Sequence, residues 1–330
     1  MRYLFATLVV CGVLQATTYR TVDQGWNDEA REHYWYTPQG SYVIPYFWFR
    51  ALPNPGTEKP FTSALADLGF ISTGKRTVRN PDGLPIGLTK EFEPKGNFPL
   101  LKGKGPWLGV TCAACHTGAL TENGKTFILD GAPGQIDFEK FSLQLEAAMA
   151  GVLESDTAFD SFVNRVKAEY TPPTKEEFSA VYKRFRERNS RSFFPRQNRS
   201  FPSVNAGPGR TDAFGAINNE VSSAALGIPE NAAVASAPVS FPHIWGGPFL
   251  QWIQYNGLTN NAFTRNIGEV LGVFGEVNLD PASDQFLDST VRYVELAQIE
   301  HGLRSLRAPR WEQVFGPFSE AEKAEIGRAS

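Results

Sequence analysis

The stretch Val110-Thr111-Cys112-Ala113-Ala114-Cys115-His116-Thr117-Gly118 decides how the rest of the chain is read. Cys112, Cys115 and His116 form C-x-x-C-H, the attachment signature of a c-type haem. Cysteines three positions apart lie about one helical turn apart. Both thiols can therefore add to the vinyl groups on one edge of a porphyrin. His116 follows directly, and its imidazole can turn under the ring to ligate the iron as the proximal histidine. Three other readings of these residues are a thioredoxin-like redox pair, a zinc site and a local disulfide. The redox pair lacks a strand-turn-helix pattern around it. Zinc wants about four ligands, and the remaining cysteine is Cys11, near the N-terminus.

Composition bounds the rest. A chain of 330 residues can bury a sizeable core and form two domains. Hydrophobic residues at 42% and charged residues at 20% describe a globular protein. The net charge of -3 comes with no basic stripe, which argues against a nucleic-acid partner. The basic run Lys183 to Arg188 reads as a solvated helix face. With 30 Gly and 23 Pro the chain should be loop-rich, and its 25 Phe can wrap a large apolar group or fill an ordinary core. No Ser-His-Asp arrangement, Walker loop, dinucleotide fingerprint or H-E-x-x-H occurs.

Residues 1–18 read as a secretory signal: Arg2, an apolar run from Tyr3 to Leu14, then Gln15-Ala16-Thr17. An uncleaved anchor is the alternative. Export to the periplasm, or secretion, agrees with covalent haem, which is attached on the outer side of the membrane. Further along, Asn27 should cap a helix through Tyr36. Asn80-Pro81-Asp82-Gly83 is a turn, and the region to Gly105 looks irregular. Asn123-Gly124 between short β-prone runs signals a hairpin just after the motif. Helices are expected over 136–153, 157–170, from the Thr174/Glu177 capping box toward 189, over 212–226, from 264, and from Asp288 to Leu306.

Arg265, Asn266 and Glu269 share a helix face by their spacing. Arg265 can pair with a haem propionate, polarise a bound peroxide, or make a structural salt bridge. His33, His243 and His301 are the other histidines, and any of them can be a sixth iron ligand or an ordinary surface side chain. Met149 reads as core.

Several stretches together resemble one family. They are Asp23-Gln24-Gly25-Trp26 through Tyr36-Thr37-Pro38-Gln39-Gly40-Ser41, Asn80 to Gly87, the haem motif, Gly207-Pro208-Gly209-Arg210, Ala237-Pro238-Val239 and Arg265-Asn266-Ile267-Gly268-Glu269. Across nearly the whole mature chain they resemble the di-haem cytochrome c peroxidase-like proteins that include the bacterial rubber oxygenases. The resemblance implies a mainly α, cytochrome c-like haem domain over 19–318, with long loops and the small β-hairpin after the motif. It also implies two c-type haems. One C-x-x-C-H is present, so a second haem is expected only if the native chain continues, with 319–330 as the opening helix of a second cytochrome c domain. The implied activity is peroxidase-like, with peroxide or dioxygen as small-molecule oxidant and a redox protein as donor. The alternatives are a haem dioxygenase of rubber-oxygenase type and a non-catalytic electron carrier. Phe214, the stretch from Phe241 to Trp245, and 263–274 correspond to family motifs between the haems and are expected to cover the distal face. On this reading Arg265, Glu269 and His243 are the candidate catalytic side chains. Phe214, Phe241, Trp245 and Asn266 join Cys112, Cys115 and His116 as haem contacts.

Overall fold

The computed structural model describes residues 19–94, 96–192, 206–254, 256–321, 323 and 325. The expected signal with Cys11, and 322, 324 and 326–330 of the expected C-terminal helix, lie outside them.

Strand β1 (Tyr19–Thr21) leads to helix α1 (Asp28–Tyr36), started by Asn27, whose side chain accepts from the Ala30 N–H at 2.9 Å. The apolar segment that follows splits into β2 (Ile44–Pro45) and α2 (Tyr46–Ala51), both largely buried. Strands β3 (Leu88–Glu91) and β4 (Trp107–Val110) pair antiparallel, with β2 on the other edge of β4. Then come α3 (Cys112–Cys115), β5 (Thr117–Glu122) and β6 (Lys125–Asp130). β5 and β6 form the hairpin at Asn123-Gly124, both with positive φ as such a turn requires, and β1 adds parallel to β6.

Helices α4 (Phe138–Val152), α5 (Asp156–Lys167) and α6 (Lys175–Ser192) close the first core. Thr174 and Glu177 make the reciprocal capping box that starts α6. Strand β7 (Arg210–Thr211) pairs with β8 (Val239–Ser240). Between them α7 (Ala213–Asn218) widens into a π-helical stretch, Asn219–Ala225. Helices α8 (Ala262–Gly272) and α9 (Tyr293–Leu303) complete the frame.

This overturns the expected mainly α, cytochrome c-like architecture. Helix takes about 41% and strand 12%, with the strands in three small sheets. Two of those sheets flank the motif directly, β4 ending two residues before Cys112 and β5 starting right after His116. The region read as irregular up to Gly105 contains β3, and Trp107, Leu108 and Val110 of β4 are buried. Strands of four residues are too short to show alternation, and their partners lie far away in sequence. Asp288 does not cap α9: its carboxylate accepts from the Asn97 N–H at 2.9 Å, and the helix starts at Tyr293.

The cores meet at α3. Cys115 packs against the larger cluster, which holds Phe70, Ile136, Phe141, Met149 and Phe241. Cys112 and Ala113 belong to the second, with Trp26, Tyr34, Trp35 and Ile299. Asp130, fully buried at the end of β6, ties this second cluster together. It pairs with Arg31 Nε at 2.9 Å, accepts from the Trp35 indole at 2.7 Å, and offers its backbone carbonyl to Gln24 and Trp245.

Backbone closeness holds the motif in place. Gly87 has φ +90°, and a Cβ there would stand 2.3 Å from the Ala114 Cα. A Cβ on Gly134 would meet the Ala114 and Cys115 carbonyl oxygens at 2.8 and 2.9 Å. Gly87→Ala should therefore cost about 2–5 kcal/mol, summing strain at positive φ and overpacking. Urea unfolding of the variant would show it as a fall in midpoint. A cost under about 0.5 kcal/mol would mean that α3 is free to shift away.

Candidate functional site

The one-turn helix α3 leaves its terminal carbonyls without helical partners, and donors from elsewhere fill them. Gly134 N–H donates to the Cys115 carbonyl at 2.7 Å, and the Tyr34 hydroxyl donates to that of His116 at 2.9 Å. At the other end, Cys112 N–H donates to Gln39 Oε1 at 3.2 Å, and the Cys112 thiol lies 3.1 Å from the same oxygen. Gln39 is itself fixed by a buried carboxylate. Glu91 accepts from the N–H groups of Gln39, Gly40 and Ser41 at 2.7, 2.7 and 3.2 Å, and pairs with Arg292 at 3.0 Å. The segment Tyr36 to Ser41, marked by the family resemblance, thus sets where Cys112 sits.

His116 is half-buried, and its Nδ1 lies 2.8 Å from the Pro242 carbonyl oxygen. A carbonyl only accepts, so Nδ1 carries the proton and Nε2 keeps its lone pair. Iron-ligating histidines use this arrangement: the second nitrogen donates to a backbone carbonyl, and the ring's orientation and tautomer are fixed. Burial pushes the His116 imidazole below the ordinary histidine value, opposed in part by the Pro242 hydrogen bond and the charge of Glu269. His33 is lowered too, by burial and then by Arg79. A histidine harder to protonate in the fold than in the unfolded chain costs stability in acid. The unfolded state takes up the extra proton as pH falls through 6.5, the ordinary value. The haem-free chain should therefore lose stability between about pH 7 and 5. Urea titrations at both pH values will show this, with a shallower fall in His116→Gln. An identical fall in that variant would leave His116 with no share in it.

The thiols are free, and burial raises both pKa values: Cys112 to about 11, Cys115 further, with the charge of Glu269 adding to each. This argues against the redox-pair reading, which wants an acidified thiol. A strand does precede the motif, contrary to the sequence reading, but the helix after it is a single turn. The zinc reading finds no support either: among the described residues no three His, Cys, Asp or Glu side chains gather as a metal cage.

Arg265 and Glu269 lie close enough that their charges act on the motif. Both act on Cys112 and His116, and Glu269 on Cys115. Arg265 also makes the salt bridge weighed as its structural role, to Glu300 at 3.1 Å, and Asn266 donates to the same Glu300 oxygen at 2.9 Å. Glu269 accepts from Gln254 at 2.9 Å. Glu300 and Gln254 carried no signal in the sequence. Their partners come from helices and loops distant along the chain.

Phe241 is buried, its ring 6.4 Å from that of His116. Trp245 donates to the Asp130 carbonyl, and His243 is exposed and stacked on Trp245 at 5.2 Å. Pro242 meets His116 at Nδ1, so this stretch packs beside the imidazole. Phe214 sits in α7, which packs against α8. Met149 is fully buried in the core. His33 and His301 line a surface hollow beyond α1.

The residues fit a covalent haem. Two unbridged thiols sit one turn apart, followed by an imidazole whose Nε2 keeps its lone pair. Beside them two buried polar atoms, Gln39 Nε2 and Glu300 Oε1, have no hydrogen-bond partner.

No family model matches the chain, and no solved structure matches it. Among curated proteins it is similar to y4iJ, an uncharacterized protein of Sinorhizobium fredii, with 32% identity over 330 residues. The match covers 89% of this chain and 53% of that protein, so the chain spans about half the length of its relative.

Proposed function

We propose that this chain carries one covalent c-type haem on Cys112 and Cys115, with His116 as proximal ligand, and acts as an exported, peroxidase-like oxidoreductase. The observation that carries the reading is the His116 Nδ1 contact with the Pro242 carbonyl, which leaves Nε2 as a fixed, neutral ligand atom. When bound, the haem supplies the iron on which an oxidant is reduced. The protein's part is to hold and shield it. Gln39 and Glu91 hold Cys112 in register, and Tyr34 and Gly134 brace the end of α3. Arg265 is the candidate for steadying negative charge, on a propionate or a bound peroxide, and Glu269 is the candidate proton carrier beside it.

Peroxide chemistry is favoured over electron carriage because, among the described residues, no second protein ligand is well placed. His243 is exposed and stacked on Trp245, His33 and His301 lie toward the surface hollow, and Met149 is enclosed by core aromatics. A carrier wants both axial positions filled, whereas an enzyme wants one open. The reduced holoprotein should bind carbon monoxide promptly and consume peroxide with an added reductant. A low-spin, bis-ligated spectrum that resists carbon monoxide would shift the reading to a carrier. The dioxygenase alternative draws on the exposed apolar side chains Phe249, Leu250, Trp252 and Leu258, just before α8, which suit an apolar substrate. Oxygen uptake with a polyisoprene emulsion, absent with peroxide alone, would select it.

A further inference from the structure

Beyond its brace on α3, Tyr34 joins Trp26 in linking the motif to the surface. The Tyr34 hydroxyl donates to the carbonyl of His116 at 2.9 Å. The Tyr34 ring lies 5.2 Å, centroid to centroid, from that of Trp26. Both side chains are almost fully buried, and both edge a hollow of about 300 Å³ that also touches His33, Arg79 and Ile299. Two broader hollows, of about 950 and 770 Å³, meet the same His33 and Arg79.

We propose that Tyr34 and Trp26 form a one-electron relay between the haem motif and this hollow, where a small phenolic or hydroquinone reductant docks. The proposal rests on the reading of C-x-x-C-H as a haem site. Aromatic rings in contact pass electrons readily because their filled π orbitals are the most easily ionised in a protein. The two members differ in what they can hold. The Tyr34 hydroxyl points at a backbone carbonyl, which cannot keep a proton, so a tyrosyl radical is not stabilised there. The Trp26 indole can carry positive charge with its N–H intact, and that N–H points at two oxygens, the Gly302 carbonyl and Ser305 Oγ, each at 3.1 Å. The electron hole therefore rests on Trp26, and Tyr34 is the bridge.

The electron count closes. Reducing one peroxide to two waters takes two electrons and two protons. Two phenols supply them in the hollow, each losing one electron and one proton and leaving as a phenoxyl radical. Trp26 loses an electron toward the motif through Tyr34 and regains one from a phenol. Arg79 and His33 offer hydrogen bonds to the phenol oxygen, and the indole edge and Ile299 offer an apolar wall.

The test uses the holoprotein, with its haem content first measured by the pyridine haemochrome spectrum. One equivalent of peroxide is added without reductant, the sample is freeze-quenched, and its electron paramagnetic resonance spectrum is recorded. A tryptophan radical is expected, narrowed in protein made with ring-deuterated tryptophan. It should be lost in Trp26→Phe and, with rates taken per bound haem, formed more slowly in Tyr34→Phe. Arg79→Ala should raise the KM for a phenol and leave the radical intact. Should Trp26→Phe fail to fold, the deuterated wild type and Tyr34→Phe still decide. A tyrosyl radical, no radical, or a rate untouched by Tyr34→Phe overturns the relay. So does a radical that survives Trp26→Phe and vanishes in Trp35→Phe, which would place the hole beside Asp130. A chain without covalent haem fails at the first measurement and overturns the haem reading instead.

Discussion

The Cys112→Ala/Cys115→Ala variant, expressed beside the wild type in a host with a haem-ligation system, comes out of denaturation colourless, while the wild type stays coloured. That is the largest effect expected here, a change from about one haem per chain to none. Each single variant should keep one thioether and show a shifted spectrum. His116→Ala should keep both thioethers and alter the iron's spectrum alone. The separation follows from the proposed roles: the thiols would tether the haem, and the imidazole, fixed by Pro242, would ligate its iron. Intact mass spectrometry reads the outcome directly. Wild-type protein with no haem mass on the peptide holding Cys112 and Cys115 would sink the reading.

The second large effect is on stability. Asp130→Ala should cost about 3–5 kcal/mol, the usual penalty for breaking a buried ion pair by removing one partner. The Asp130 carboxylate is fully buried, and Arg31 beside it is 5% exposed. With the carboxylate gone, the guanidinium keeps its contact with the Val22 carbonyl but loses its buried counter-charge, and the Trp35 indole N–H loses its acceptor. Asp130→Asn should cost less, since an amide oxygen still accepts from Trp35. Urea unfolding of the three proteins at one pH gives the order. A loss below about 1 kcal/mol for the alanine variant, typical of an exposed pair, would show that Asp130 does not hold β6 to α1.

What the sequence disclosed were features with local causes. Asn27 as a cap, the Asn123-Gly124 hairpin, the Thr174/Glu177 box and a helix through Arg265 and Glu269 are each determined within a few residues, and each is found. The β2–β4–β3 sheet escaped notice because its strands are two to four residues long and pair across 44 to 110. The error in architecture came from carrying a family's fold over from a handful of short matching stretches. Parts of the site were legible, Arg265 and Glu269 among them. Others were not: the partner of His116 is a backbone carbonyl 126 positions away, and nothing in the side chain of Pro242 announces it. Gln39 stood in view as part of a family stretch, but its link to Cys112 needed coordinates.

The raised pKa values of the two thiols bear on timing. A thiolate is the nucleophile in thioether formation. With a pKa of about 11, Cys112 is ionised on the order of 10⁻⁴ of the time at pH 7, and Cys115 still less. On the proposed haem reading, the finished fold is therefore a poor substrate for thioether formation. The bonds would form on the extended chain, before β4 and β5 draw the cysteines between two cores.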